Sequence, residues 1–139
     1  MREIDRLECR IGGHSPKEAL RLSLYTSTLA WTVKIDGRPE AMFGVAPVCL
    51  ISGEGSPWLL LTDVAARKAV TLVREGRRYS DAMQAAFPVL ANVVHADNRT
   101  AIRWLQRLGY GIGEPFDAGG HAMRPFERRG IRTANRLAC

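Results

Sequence analysis

The chain has 139 residues, 46% of them hydrophobic and 24% charged, with a formal net charge of +6. That length suits one domain with a real core, since a chain near 150 residues buries roughly 70% of its unfolded surface. No apolar run reaches the roughly 18 residues of a membrane span, no charged-then-apolar leader opens the chain, and Cys9, Cys49 and Cys139 lack both zinc spacing and a disulfide pattern, which excludes helical membrane proteins and cysteine-stapled secreted modules.

In chain order, Glu3, Ile4, Asp5, Leu7 and Glu8 read as a first helix. Ser15-Pro16-Lys17-Glu18 predicts a second, with serine as cap, proline in the first turn and glutamate at the third position. It runs to Thr26 and buries Ala19, Leu20, Leu22 or Ser23, and Leu24 in part. Residues 29–35 alternate as a strand, and Asp36-Gly37-Arg38-Pro39-Glu40 turns into an antiparallel partner over residues 41–51. Pro47 within that partner implies an edge, a bend or a bulge. Ser52-Gly53-Glu54-Gly55-Ser56-Pro57 reads as a flexible connection, and Trp58-Leu59-Leu60-Leu61 as a central strand covered on both faces.

Asp63 is then expected to cap a long helix ending near Phe87-Pro88, with Val70, Val73, Tyr79, Met83 and Phe87 inside, Arg67, Arg74 and Arg78 outside, and Gly76 as a point of bending. Val89 to His95 is a second central strand. Asn98 caps the next helix, whose buried stripe is Ala101, Trp104, Leu105 and Leu108. Arg99, Arg103, Gln106 and Arg107 face solvent, and Gly109 takes the left-handed turn at the end. Residues 110–115 and 122–126 form the last strands, joined by Asp117-Ala118-Gly119-Gly120. This order predicts an α/β (α+β) domain over residues 1–128, a mixed sheet with helices on both faces. Residues 129–139 form a mobile basic tail. Arg124, Arg128, Arg129, Arg132 and Arg136 face only Glu127 there, so the tail either solubilises the chain or touches an acidic protein partner or nucleic acid without reading its sequence.

The strand-to-helix stretch with Asn98, Ala101, Gly109 and Tyr110 resembles the second acyl-CoA-binding motif of the GNAT acyltransferases. The turn at Asp36-Gly37 before Ala41-Met42-Phe43-Gly44-Val45 matches the place of that family's second and third strands. Ala30-Trp31-Thr32-Val33, Met42-Phe43-Gly44-Val45-Ala46-Pro47, Pro57-Trp58-Leu59-Leu60, Ile102-Arg103-Trp104-Leu105 and Pro125-Phe126-Glu127 resemble a phage-encoded branch, the GNAT-like internal virion proteins of short-tailed phages. The resemblance runs from about Arg2 to Arg128 and implies a GNAT-like fold whose first strand is either absent or lies before a late start of this sequence. It implies a virion or morphogenesis component, in the host cytoplasm during assembly or packaged in the particle, with other virion or host proteins as partners.

The chemistry of the family is thinly represented. A phosphate-binding turn supplies backbone N–H groups at a helix N-terminus, usually from glycines. The corresponding Thr62-Asp63-Val64-Ala65-Ala66-Arg67-Lys68-Ala69 has no glycine, and Asp63 opposes an anion there. The family's proton-donating tyrosine falls at Leu105. The expected reading is a degenerate acyl-CoA site with no cofactor. The alternative is an active acyl-CoA-dependent N-acyltransferase in which Thr62, Arg67, Lys68 and Asn98 hold acetyl-CoA and His95 or Tyr110 moves the proton. His95 beside Asp97 reads first as a capped loop, and His14 and His121 as loop residues. Three isolated histidines form no metal site. Trp31, Trp58 and Trp104 read as core residues, with Trp104 the one to test at an interface.

Overall fold

The computed structural model describes residues 1–130, without the side chains of residues 69 and 70. Val70, Cys139, Arg132 and Arg136, about which the sequence raises expectations, therefore lie outside the described residues.

Two helices, α1 (Glu3–Ile11) and α2 (Pro16–Thr26), precede the hairpin β1 (Leu29–Ile35) and β2 (Arg38–Cys49). The Ser15 capping box at the start of α2 is complete, with Ser15 Oγ accepting from Glu18 N and Glu18 accepting from Ser15 N. The expected burial of α2 holds in part: Ala19, Leu20 and Ser23 are half-buried, whereas Leu22 and Leu24 are exposed, the helix packing mainly on α1 and β2. At the hairpin, Asp36 and Gly37 both take positive φ, 52° and 78°, the two-residue turn whose twist suits antiparallel strands.

β2 lies inside the sheet, and its proline produces a bulge: the register against β3 (Glu54–Leu61) shifts between Pro47 and Cys49. β3 begins at Glu54, so half of the expected flexible connection is strand. Gly55 permits this, since a Cβ there would sit 2.7 Å from both Phe87 and Val45.

The long helix is broken in two. Thr62, not Asp63, caps α3 (Asp63–Ala66), its hydroxyl accepting from Ala65 N at 3.3 Å. A step at Arg67 and Lys68 leads to α4 (Ala69–Ala86), which passes through Gly76 as one continuous helix. No residue at the step forbids a helix, and the break is a tertiary effect that seats buried Ala65 in a cluster with Ala41, Leu61 and Trp104. Gly76 instead brings α4 close to Leu108, 3.4 Å from where its Cβ would be.

β4 (Val89–His95) and α5 (Arg99–Arg107) fall where expected, with Asn98 Oδ1 accepting from Ala101 N and Gly109 at φ 92°. Ile102 joins Trp104 as fully buried, while Ala101, Leu105 and Leu108 are half-buried. The C-terminal part holds three strands: β5 (Gly111–Ile112), β6 (Phe116–Ala118) and β7 (His121–Arg129), with Gly119-Gly120 alone as the β6–β7 turn. β7 continues through Arg129 because β4 and β5 pair with it.

The sheet runs β1-β2-β3-β4-β7-β5, with β6 added on β7, antiparallel everywhere except β3–β4. α4 and α5 cover one face. Their core joins Val45, Met83, Phe87, Leu90, Val94 and Phe126, and beside it Trp31 stacks on Phe43 with Tyr79 edge-on to both. α1 and α2 lie on the other side, where Trp58 Nε1 donates to Ser27 Oγ at 2.7 Å. All three tryptophans are packed, and Trp104 is buried rather than displayed. Cys9 and Cys49 are both half-buried.

Candidate functional site: the split between β3 and β4

The parallel strands β3 and β4 are paired only at Glu54–Val89 and Gly55–Leu90. Beyond these positions they part, because β3 stays in register with β2 up to Leu61 and β4 with β7 up to His95. The resulting wedge has two backbone edges. Thr62 N donates back to Glu40 O on β2, so by the alternation of a strand the peptide groups of Leu61 face the wedge. Ala96 N donates to Ala122 O in β7, so His95 N faces the wedge from the other side. An extended ligand carrying amide groups could pair with such edges as an added strand does.

In this molecule α1 takes that place. Arg2 N donates to Leu61 O at 2.9 Å, and Asp5 Oδ2 accepts from Leu61 N at 3.2 Å. Glu8 Oε1 accepts from His95 N at 2.9 Å and from Asn98 Nδ2 at 3.0 Å. One helix thus bonds to both diverging strands and to the cap of α5. Asp5 is 2% exposed, and a bidentate pair with Arg2, at 2.8 and 3.0 Å, compensates its burial. Burial pushes the Glu8 carboxyl above the usual carboxylate range, against the opposing pull of the hydrogen bonds from Asn98 and His95. Burial likewise raises the neighbouring Cys9 thiol, with Asp5 and Glu8 adding to the effect. Deeper in the wedge, Asn92 Nδ2 donates to Pro57 O and Asn92 Oδ1 accepts from Val93 N, both at 2.8 Å. That amide stitches strands already too far apart to pair directly.

The residues singled out in the sequence are distributed around this wedge. Asn98 and His95 meet at its mouth through Glu8. His95 is buried, and its Nδ1 accepts from Asp97 N at 3.0 Å, which puts the proton of the neutral ring on Nε2. The Asp97 carboxylate is 3.9 Å from the same nitrogen and exposed. His121 lies ring to ring with His95 at 6.0 Å, at the start of β7 rather than in a loop. Thr62 turns away from the wedge, its hydroxyl capping α3 and donating to Glu40. Arg67 and Lys68 are exposed at the step between α3 and α4. Tyr110 stands apart, buried in the core edge-on to Phe126, with its hydroxyl hydrogen-bonded to Ser80 and its ionisation raised by burial. Leu105 packs half-buried against the same core. A cavity of about 710 Å³ reaches from β3 past Asn98 to Tyr110.

Arg2, Asp5, Glu8 and Asn92 were not anticipated. Charges three residues apart on a short helix read as a solvated stripe. Only the polar Asn92 inside an apolar strand offered a signal.

The Leu61 peptide is already paired, Asp63 occupies the first turn of a four-residue helix, and no glycine opens that turn. Among the described residues no group of three potential metal ligands exists, and no helix is long and apolar enough to cross a membrane.

No family model matches the chain, and no curated protein matches it. Solved structures do. The chain is similar to the aminoglycoside acetyltransferase AAC(6′)-Ib in complex with coenzyme A, with 10% identity and a TM-score of 0.57 over 78% of this chain and 70% of that one. It is similar to a GNAT-family acetyltransferase from Streptococcus pneumoniae, with 11% identity and a TM-score of 0.62 over 81% and 75%. A ribosomal-protein-S5-alanine acetyltransferase from Vibrio fischeri gives 11% and 0.62 over 81% and 67%. The chain therefore has a GNAT-like fold.

Proposed function

We propose that this protein is a GNAT-fold binding component of phage or prophage particle assembly whose acyl-CoA strip is closed, rather than a transferase that turns over. The observation that carries the reading is the pairing of α1 with both edges of the wedge, through Arg2 and Asp5 on Leu61 and Glu8 on His95. The glycine-free turn after β3 and the apolar Leu105 support it. The likeness of the tryptophan-bearing segments to internal virion proteins supplies the particle, with virion or host proteins as partners.

Calorimetric titration with acetyl-CoA tests the closed strip: no heat is expected at millimolar ligand, and micromolar binding would overturn it. Mass spectrometry of particles from the source tests the setting, where this polypeptide is expected among the packaged or assembling proteins.

The cavity beside β3 favours a second reading, an acyl-CoA-dependent N-acyltransferase. Its cofactor residues would be Thr62, Arg67, Lys68 and Asn98, and its proton-handling residue His95 or Tyr110. It requires α1 to leave the wedge, and the same titration decides against it if no heat appears.

A further inference from the structure

α4 and α5 run side by side in the same direction. Leu72 and Val73 share a cluster with Trp104, and one turn later Arg77 Nη2 donates to Arg107 O at 3.1 Å while Gly76 meets Leu108. Their apolar sides face the sheet, which leaves two rows of arginine outward. Arg99, Arg103 and Arg107 recur every fourth residue of α5, about 6 Å apart along the axis. Arg74 and Arg77 stand level with the last two on α4, and all five are exposed. α5 contains no acidic residue. The acidic residues along α4 are engaged elsewhere, Glu75 with Arg78 at 3.4 Å and Asp81 with Arg128. Among the described residues, none of the five arginines has a carboxylate partner.

We propose that this α4–α5 face docks on the phosphate backbone of duplex DNA, without reading its bases. Unpaired guanidinium groups on a rigid two-helix platform are the chemistry that phosphate oxygens accept, and they convert released counterions into affinity. A protein partner would need an apolar anchor at the centre of the face, and the large side chains there, Trp104 and Leu108, are turned inward. A single strand would need exposed aromatic rings for its bases to stack on, and this face has none among the described residues. The proposal stands apart from the wedge and does not depend on whether that wedge is closed.

The test is fluorescence anisotropy of the full chain with a mixed-sequence DNA duplex across a salt series. A triple variant Arg74→Gln, Arg103→Gln, Arg107→Gln should keep the melting temperature, weaken binding and lower the log–log salt slope by about 3. The matching triple Arg→Lys variant should restore most of both, because a phosphate contact asks mainly for charge. The proposal is overturned by unchanged affinity and slope in the glutamine variant, which would move binding to other basic residues. It is equally overturned by no salt-dependent binding of the wild type, by tighter binding of a single strand, or by polyglutamate competing as well as the duplex.

Discussion

Asp5 and Glu8 show how far a side chain's role depends on what the chain brings against it. Asp5→Ala would leave the Arg2 guanidinium buried without a partner and the Leu61 N–H unpaired, a loss of about 3–5 kcal/mol. Replacing both charges with apolar residues of similar size should cost much less, so urea midpoints of the single and double variants are expected to differ in that order. For Glu8 the sign follows from its raised ionisation. The folded state holds the proton at pH values where the unfolded chain has lost it, so stability rises as pH falls through the window above the ordinary glutamate value. Glu8→Gln keeps an oxygen for His95 N and Asn98 Nδ2 while removing the titration. Its stability, measured by urea unfolding between pH 4.5 and 7, should show less of that rise than the wild type. A slope identical to the wild type would refute the assignment. None of this was legible in the sequence, where Arg2, Asp5 and Glu8 are a polar stripe like any other. By contrast, the tail-end arginines were read as facing only Glu127, yet Arg128 pairs with Asp81 of α4, and Arg124 donates to Gly113 O.

Most boundaries written in local chemistry were read correctly, the cap of α3 at Thr62 rather than Asp63 being an exception, whereas several set by distant neighbours were not. Asn98 and Gly109 bracket α5 through a side-chain acceptor and a left-handed turn, features written within a few residues. The capping box of α2 and the Asp36-Gly37 hairpin are of the same kind. The break between α3 and α4, the early start of β3 and the extension of β7 to Arg129 depend on partners far along the chain, so period and turn residues could not reveal them. The hairpin also carries a testable close approach. A Cβ at Gly44 would lie 2.4 Å from Leu29 O and 3.0 Å from Ala30 Cα, both backbone atoms. Gly44→Ala must therefore push β1 from β2, with a loss of about 1–3 kcal/mol in chemical denaturation. At Asn98, alanine removes both the cap of α5 and a hydrogen bond to Glu8, so its cost should exceed the roughly 1 kcal/mol of a cap alone.

At the scale of the whole molecule, the sheet is one continuous structure with a wedge at its single parallel joint, and α1 closes the open end. α2 contributes no fully buried residue, whereas β4 carries Leu90, Val94 and His95 into the interior. Hydrogen exchange should accordingly find the amides of α2 opening well before those of β4, and equal protection would contradict this arrangement. Apolar alternation, caps and turns, all local consequences of backbone geometry and side-chain solubility, determined from the sequence alone that this is a mixed α+β domain, and the motif resemblance added the expectation of a GNAT-like fold that the solved structures bear out. That resemblance also singled out the glycine-free turn after β3 and Leu105 where it implied a tyrosine. Only the tertiary structure decided that the wedge is occupied, that Tyr110 belongs to the core and that five arginines share one face. Each of those depends on which distant residues come within hydrogen-bonding or packing range, a property of the folded chain that no local spacing encodes.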